Sequence, residues 1–347
     1  MPNAQPIKHD NIPAILDTAA RCTMSAMIWG PPAIGKSESI YQWASANDYK
    51  VVEVRLSEID VLDVRGLPYR DENNVTRYAV PQWWPQKGCG KVVLYLDEYA
   101  QQPAQAQPIT GRIIHERKIG DDNRLPDGDG DHVVIFVSSN GHTDRAGAYR
   151  MPTHTASRFA LHYELEPDLD LWIEWANKSG VDQRLISFLR FRSDLFYQFD
   201  PKANEYAWAN PRTIVKLSEM ISDIPNSDLD LLLLLAQGAC GQAFGIEFRA
   251  FVKALGQLPD LEAIKRGDDV DAPDDPGLTY AVISALARVV DDANVENVWR
   301  YIQKIAGEYR VYWAEDVKSL RDKIGFDLKQ SPVYPEIISL HSELLEV

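Results

Sequence analysis

The spacing of apolar residues divides the chain in two. From Met24 to Leu165, apolar runs of strand length alternate with amphipathic stretches, whereas from Pro167 onward apolar residues recur at helical spacing and no strand is indicated. Met24–Trp29 and Val92–Leu96 are continuous apolar runs, as suits strands covered on both faces of a parallel sheet. Lys50–Leu56, His132–Ser139 and Ala160–Leu165 bring the set to five. Among the helices, Asn11–Arg21 carries Ile12, Ile15, Leu16 and Ala19 on one face, with Asp10 or Asn11 as cap. Lys36 to Asn47 follows, and then Gln101–Arg117, interrupted near Pro108. Five strands alternating with helices predict an α/β fold, an αβα sandwich with a five-stranded parallel sheet.

Between the second and third strands, SEIDVLDVRGLP reads as loop with a helical turn, and Tyr69–Val80 as a hairpin turning at Asn73 and Asn74. VPQWWPQKGCG then sets Trp83 and Trp84 in a loop, where core packing and contact with a partner are both open readings. In GDDNRLPDGDGDH, Asp127, Asp129 and Asp131 alternate like the start of a calcium loop, but the twelfth-position glutamate is missing; the segment reads as a solvated turn. Further on, Leu169–Ser179, Asp182–Arg192, Pro211–Ile221 and Asp228–Gln242 are expected helices, with Pro211 as a first helical residue after Asn210. Gly256–Gly277 is acidic and proline-containing, a linker or long loop. Leu278–Val347 is helical by pattern, with Val298, Tyr301, Ile302 and Ile305 as a core stripe.

Charge and cysteines narrow the setting. Thirty-six basic against fifty-one acidic residues in 347 give a net charge of -15, which repels a polyphosphate backbone and disfavours a general nucleic-acid binder. The longest apolar run, Leu231–Leu235, is far short of a membrane span. MPNAQPIKHD lacks the regions of a signal peptide, and Cys22, Cys89 and Cys240 stand far apart, so a reduced, cytoplasmic setting is expected.

The chemistry gathers at the ends of the strands. After Trp29, GPPAIGKS satisfies G-x-x-x-x-G-K-[ST] with Gly30, Gly35, Lys36 and Ser37. Glycines let backbone N–H groups fold round a phosphate, the helix opening at Lys36 points its positive end at the same place, and lysine reaches the outer phosphates. Gly30, Pro31, Pro32, Ala33, Ile34, Gly35, Lys36, Ser37 and Glu38 are the expected nucleotide-binding residues, with ATP as the ligand. Ser37 and Asp97 are placed for Mg²⁺, and Glu98 to orient the attacking water. Asn140, ending the fourth strand, would face the γ-phosphate if that strand lies beside the one bearing Asp97. Basic residues follow at Arg145, Arg150 and Arg158.

This set resembles the AAA+ ATPases, and within them the MoxR-type branch, over residues 10 to about 222. The likeness rests on GPPAIGKS (Walker A), VVLYLDE (Walker B), the strand ending in Asn140 (sensor 1), SRF at Ser157–Phe159 and ANPR at Ala209–Arg212. It implies an AAA+ nucleotide-binding core over 1–165 and a helical lid over 166–256; beyond the likeness, the pattern adds a C-terminal helical region over 257–347. It also implies that Arg158 is the arginine finger reaching a neighbouring subunit's γ-phosphate, with Arg145 and Arg150 as competitors, and that Arg212 is the sensor 2 arginine. A head-to-tail ring, usually a hexamer in this family, is implied with them. MoxR-type ATPases are often paired with proteins bearing a von Willebrand factor A domain and remodel a protein client. The implied function is therefore Mg²⁺-dependent ATP hydrolysis coupled to client remodelling. The alternatives are a DNA-directed AAA+ ATPase, such as a helicase loader or translocase, and a small-molecule kinase with the same phosphate loop.

Overall fold

The computed structural model describes residues 4–120, 122–141, 151, 153–203 and 206–345. Packing divides the chain into one unit of Met1–Asp168 with Asp200–Asn204 and another of Leu169–Phe199 with Glu205–Val347. The first unit is an αβα sandwich built on a mainly parallel sheet. Its strands are β1 (Gln5–Ile7), β2 (Ala26–Trp29), β3 (Lys50–Arg55), the hairpin β4 (Leu67–Arg70) and β5 (Thr76–Ala79), β6 (Lys91–Asp97), the small hairpin β7 (Lys118–Ile119) and β8 (Asn123–Arg124), β9 (Asp127–Gly128), β10 (Asp131–Ser139) and β11 (Leu161–Leu165). The main sheet runs β1-β11-β2-β10-β6-β3, all parallel, with β9 added antiparallel to β10. The five expected strands are thus contiguous, and β1 adds a sixth parallel strand at one edge. Three residues containing a proline carry no periodic signal that would mark a strand.

Alternation along the strands sends side chains to opposite faces. On one face Leu94, Leu96, Val133, Ile135 and Val137 join Ile113 of α4 (Gln107–Glu116) in a single core. On the other, Phe136 meets Trp43 of α2 (Lys36–Ala46) with ring centroids 5.1 Å apart, and α1 (Ile12–Arg21) packs beside α2. α3 (Val61–Arg65) is the helical turn expected before the hairpin, whose turn places Asn74 at φ 60°.

Local expectations change in three places. Pro108 does not interrupt a helix: it stands at the second position of α4, where no amide partner is lost. Asp131 is buried, and its carboxylate accepts the N–H groups of Gly88 (2.8 Å) and Gly90 (2.7 Å), which hold it below the usual carboxylate range. The aspartate-rich segment is thus an exposed turn at Asp129 and Gly130 between β9 and β10, as expected, except that Asp131 is buried and clamps the GCG turn. Trp84 is buried in the core and Trp83 packs half-buried against it, so this pair is packing.

A short helix, α5 (Thr153–Ala156), precedes β11. The second unit is helical: α6 (Leu169–Ser179), α7 (Gln183–Phe191), α8 (Pro211–Ile221), α9 (Leu229–Cys240), α10 (Gln242–Ala254), α11 (Leu261–Arg266), α12 (Pro276–Val289), α13 (Val295–Ile302), α14 (Gly307–Ile324) and α15 (Tyr334–Leu345). The helix expected over Asp228–Gln242 stops at Gly241, whose φ of 96° and close approach to the Ala207 carbonyl exclude a side chain; α10 starts afresh. The acidic stretch after Gly256 holds α11, capped by Asp260, with Ile264 buried. Two cores fill this unit, and α12 serves both: Ala281 lies in the first, Val282, Ile283 and Leu286 in the second. Leu169–Phe199 and Glu205–Val347 thus pack as one unit whose two cores divide between Val252 and Ile264, with Ala281 as the exception. The stripe Val298, Tyr301, Ile302 and Ile305 is buried in the second core. No helix among the described residues is long and apolar enough to cross a membrane.

A buried ion pair joins the two helical stretches. Arg190 of α7 grips Asp316 of α14 through two hydrogen bonds of 2.6 and 2.7 Å, and Asn177 and Ser284 donate to the same carboxylate at 2.8 and 3.2 Å. Asp316 is 1% exposed. Removing one partner of such a pair strands the other charge in a low dielectric, which costs about 3–5 kcal/mol. Asp316→Ala is accordingly expected to lower the unfolding free energy of the helical unit by about that amount, read from urea denaturation followed by circular dichroism.

Candidate nucleotide site

The site is built where β2, β6 and β10 end. β10 lies between the strand that leads into the phosphate loop and the strand that ends at Asp97, and the Gly30 N–H is tied to the Ser139 carbonyl at 3.2 Å. Gly30 begins the loop at φ 153°, and a Cβ there would stand 2.7 Å from the Leu165 carbonyl oxygen. Gly35 ends the loop at φ 101° as the residue before α2, so the free amides of the first helical turn open onto it. Between them Ala33 also takes a positive φ of 62°, and the Ile34 side chain is buried against Gly30.

Lys36 is only 8% exposed, and its ammonium donates to the carbonyls of Gly30 and Pro31 and to Asn140 Oδ1 at 2.8, 2.8 and 2.9 Å. The structure thus brings the loop lysine and the asparagine of the fourth strand together. Ser37 Oγ lies 3.4 Å from Asp97 Oδ2. Asp97 Oδ1 accepts the N–H of Glu98 at 2.8 Å and the hydroxyl of Ser138. Glu98 adopts φ 57°, an uncommon conformation for a non-glycine residue, and its carboxylate accepts the hydroxyl of Ser57.

Two expected residues stand apart from this cluster, and a third, Arg212, belongs to the other unit. Glu38 is exposed on the first turn of α2 and accepts from Gln42 at 3.1 Å. Arg158 is half-buried, with Nη1 donating to the Pro108 carbonyl at 2.9 Å; Gly111 of α4 leaves room for it. Arg212 belongs to the helical unit, exposed at the second position of α8, where Asn210 and Thr213 form a reciprocal cap. Arg145 and Arg150 lie outside the described residues.

Four residues of the site escape sequence reasoning. Ser57 and His9 reach it through contacts distant in sequence and leave no local signal. Tyr95 and Ser138 were legible in principle, as the polar side chains at alternate positions facing α2 in otherwise apolar strands.

A divalent cation bound with a nucleotide needs few protein ligands, because phosphate oxygens and water supply most of its shell. Ser37 and Asp97 offer hard oxygen donors only, side by side, and this fits Mg²⁺. Among the described residues no group of three or more His, Cys, Asp or Glu side chains could hold a metal without such help.

No protein-family model and no curated protein matches the chain. Among solved structures, a Cytophaga hutchinsonii protein provisionally described as an ATPase is 12% identical, over 87% of this chain and 91% of that one, with a TM-score of 0.37. NtrX from Brucella abortus in complex with ATP is 14% identical, over 96% and 68%, with a TM-score of 0.39. The same protein in complex with ADP is 15% identical, over 97% and 67%, with a TM-score of 0.33. Likeness at this level carries no argument about chemistry, which rests on the residues above.

His9 supports the loop from below. Its Nε2 lies 2.9 Å from the Ile34 carbonyl oxygen, and burial pushes its pKa below the ordinary 6.5, against the opposing pull of that hydrogen bond and of Asp168 and Asp10. The folded chain resists the proton that the unfolded chain accepts, so this contribution is present above about pH 6.5 and is lost as pH falls toward the folded value. Thermal midpoints measured across that range are expected to fall more steeply for the wild type than for His9→Gln, which keeps a donor for Ile34 but cannot titrate.

Proposed function

We propose that this chain is a Mg²⁺-dependent ATPase of the AAA+ class, of MoxR type, that assembles head-to-tail into a ring and remodels a protein client. The observation that carries the reading is the convergence of Lys36, Ser37, Asp97 and Asn140 at the ends of neighbouring parallel strands, beside the open amides of α2. Open α/β sheets bind ligands at such a crevice.

The roles follow from the chemistry of each group. The loop amides and the Lys36 ammonium take the phosphates, and Lys36 exchanges its carbonyl and Asn140 partners for phosphate oxygens as ATP enters. Mg²⁺, when bound, neutralises charge on the outer phosphates; Ser37 and Asp97 would hold it. Glu98, freed from Ser57, accepts a proton from the attacking water and orients it toward the terminal phosphorus. Asn140 holds the same water or a γ-oxygen. Arg158, released from Pro108, is presented to the nucleotide of the next protomer, where an arginine delivered in trans is worth ~10³–10⁵ in rate. Arg212 closes the helical unit on its own nucleotide. The net charge of -15 favours a protein client over a nucleic acid, and a partner with a von Willebrand factor A domain is the expected adaptor.

Glu98→Gln is expected to retain ATP while phosphate release falls ~10²–10⁴-fold, the usual worth of a positioned base. Unchanged release would reject the assignment. Lys36→Ala and Arg158→Ala subunits, each inactive alone, are expected to recover part of the activity when mixed, because an intact lysine and an intact arginine then meet at some interfaces. No recovery would place the whole site within one chain.

A further inference from the structure

Beneath the loop lies a chain of hydroxyls of which the proposed roles use only that of Ser37. Tyr95 and Asp97 project from the same face of β6, and Ser138 from the same face of β10, the register pairing Phe136 with Tyr95 and Val137 with Leu96. This is the face covered by α2, whose second residue is Ser37. Tyr95 is 0% exposed. Its hydroxyl lies 2.9 Å from Ser37 Oγ and 2.8 Å from Ser138 Oγ, and the Ser138 hydroxyl in turn donates to Asp97 Oδ1.

Proton counting shows what this chain does. A hydroxyl owns one proton and two lone pairs. Ser138 sends its proton to Asp97 Oδ1, and Ser37 faces Asp97 Oδ2 at 3.4 Å, so the Tyr95 hydroxyl has one proton for two serine oxygens, Ser37 at 2.9 Å and Ser138 at 2.8 Å. When the tyrosine's proton goes to Ser37, whose own proton points at Asp97, that serine keeps a single lone pair, in a fixed direction. Tyr95 is also the one polar side chain between Val92 and Leu96, and a buried hydroxyl costs free energy unless it is bonded.

We propose that Tyr95 is a positioning residue for the divalent cation: its hydroxyl locks the Ser37 rotor so that the remaining lone pair faces the metal. The proposal rests on the reading of this site as a Mg²⁺-dependent ATP site. Removing a group that orients a metal ligand typically costs 10–100-fold in metal affinity.

The test uses the full chain with a fluorescent ATP analogue. Nucleotide affinity is measured in EDTA, and Mn²⁺ affinity of the protein–nucleotide complex by electron paramagnetic resonance. Tyr95→Phe is expected to bind metal-free nucleotide within about twofold of the wild type and Mn²⁺ at least ~10-fold more weakly. Equal Mn²⁺ affinity would overturn the proposal. Should phenylalanine at 95 fail to fold, Tyr95→Met, which fills the space with an adaptable side chain and likewise lacks the hydroxyl, takes its place; Mn²⁺ binding at least ~10-fold weaker then supports the proposal and unchanged binding overturns it. A wild-type protein that retains no nucleotide, with or without Mn²⁺, defeats the ATPase reading and this proposal with it. One that retains both, with Tyr95→Phe indistinguishable, defeats this proposal alone.

Discussion

The site depends on the insertion of β10 between β2 and β6. This strand joins the one that feeds the phosphate loop to the one that ends in Asp97, and its terminal residues meet both neighbours: Ser139 holds the Gly30 amide, Ser138 holds Asp97, and Asn140 holds Lys36. A shift of one residue in its register would turn Ser138 to the opposite face and bring Val137 beneath the loop. The apolar residues of β10, buried on both faces, set the register that the polar residues at its end then use.

That division explains what sequence reasoning could reach. Gly30, Lys36 and Ser37 are contiguous and obey a local rule, and Asp97 ends a run so apolar that only a central strand suits it. The pairing of β10 with β6 was only a condition for Asn140 to meet the loop, since the runs do not say which strands are neighbours; the structure meets that condition. His9 and Ser57 were out of reach, because each contact is made by a loop whose course is fixed elsewhere, by the docking of β1 on β11 and by the end of β3. Gly241 and Pro108 were misjudged for a different reason. Both lie at helix ends, where a shift of a few residues changes a breaker into a cap or a first-turn residue.

The helical unit follows another logic. Its two cores divide close to the boundary near Gly256 that composition suggested, the first built from residues up to Val252 with Ala281 and the second from Ile264 onward. Besides the apolar contact through Ala281, a carboxylate with four hydrogen bonds to Arg190, Asn177 and Ser284 ties α6, α7 and α12 to α14. Such a cluster adds little net stability over an apolar replacement, yet it tolerates few alternative arrangements of the helices that carry it.

The margins of the sheet carry a consequence for association. β1 offers three residues, one of them Pro6 without an amide proton, and β3 at the far margin bears Lys50, Glu53 and Arg55 with Glu53 bonded to Tyr41 and Arg55. Short, proline-bearing or charged borders discourage the recruitment of foreign strands. Copies of this chain therefore gain little by continuing one another's backbone ladders, and any assembly they form must be written in side chains.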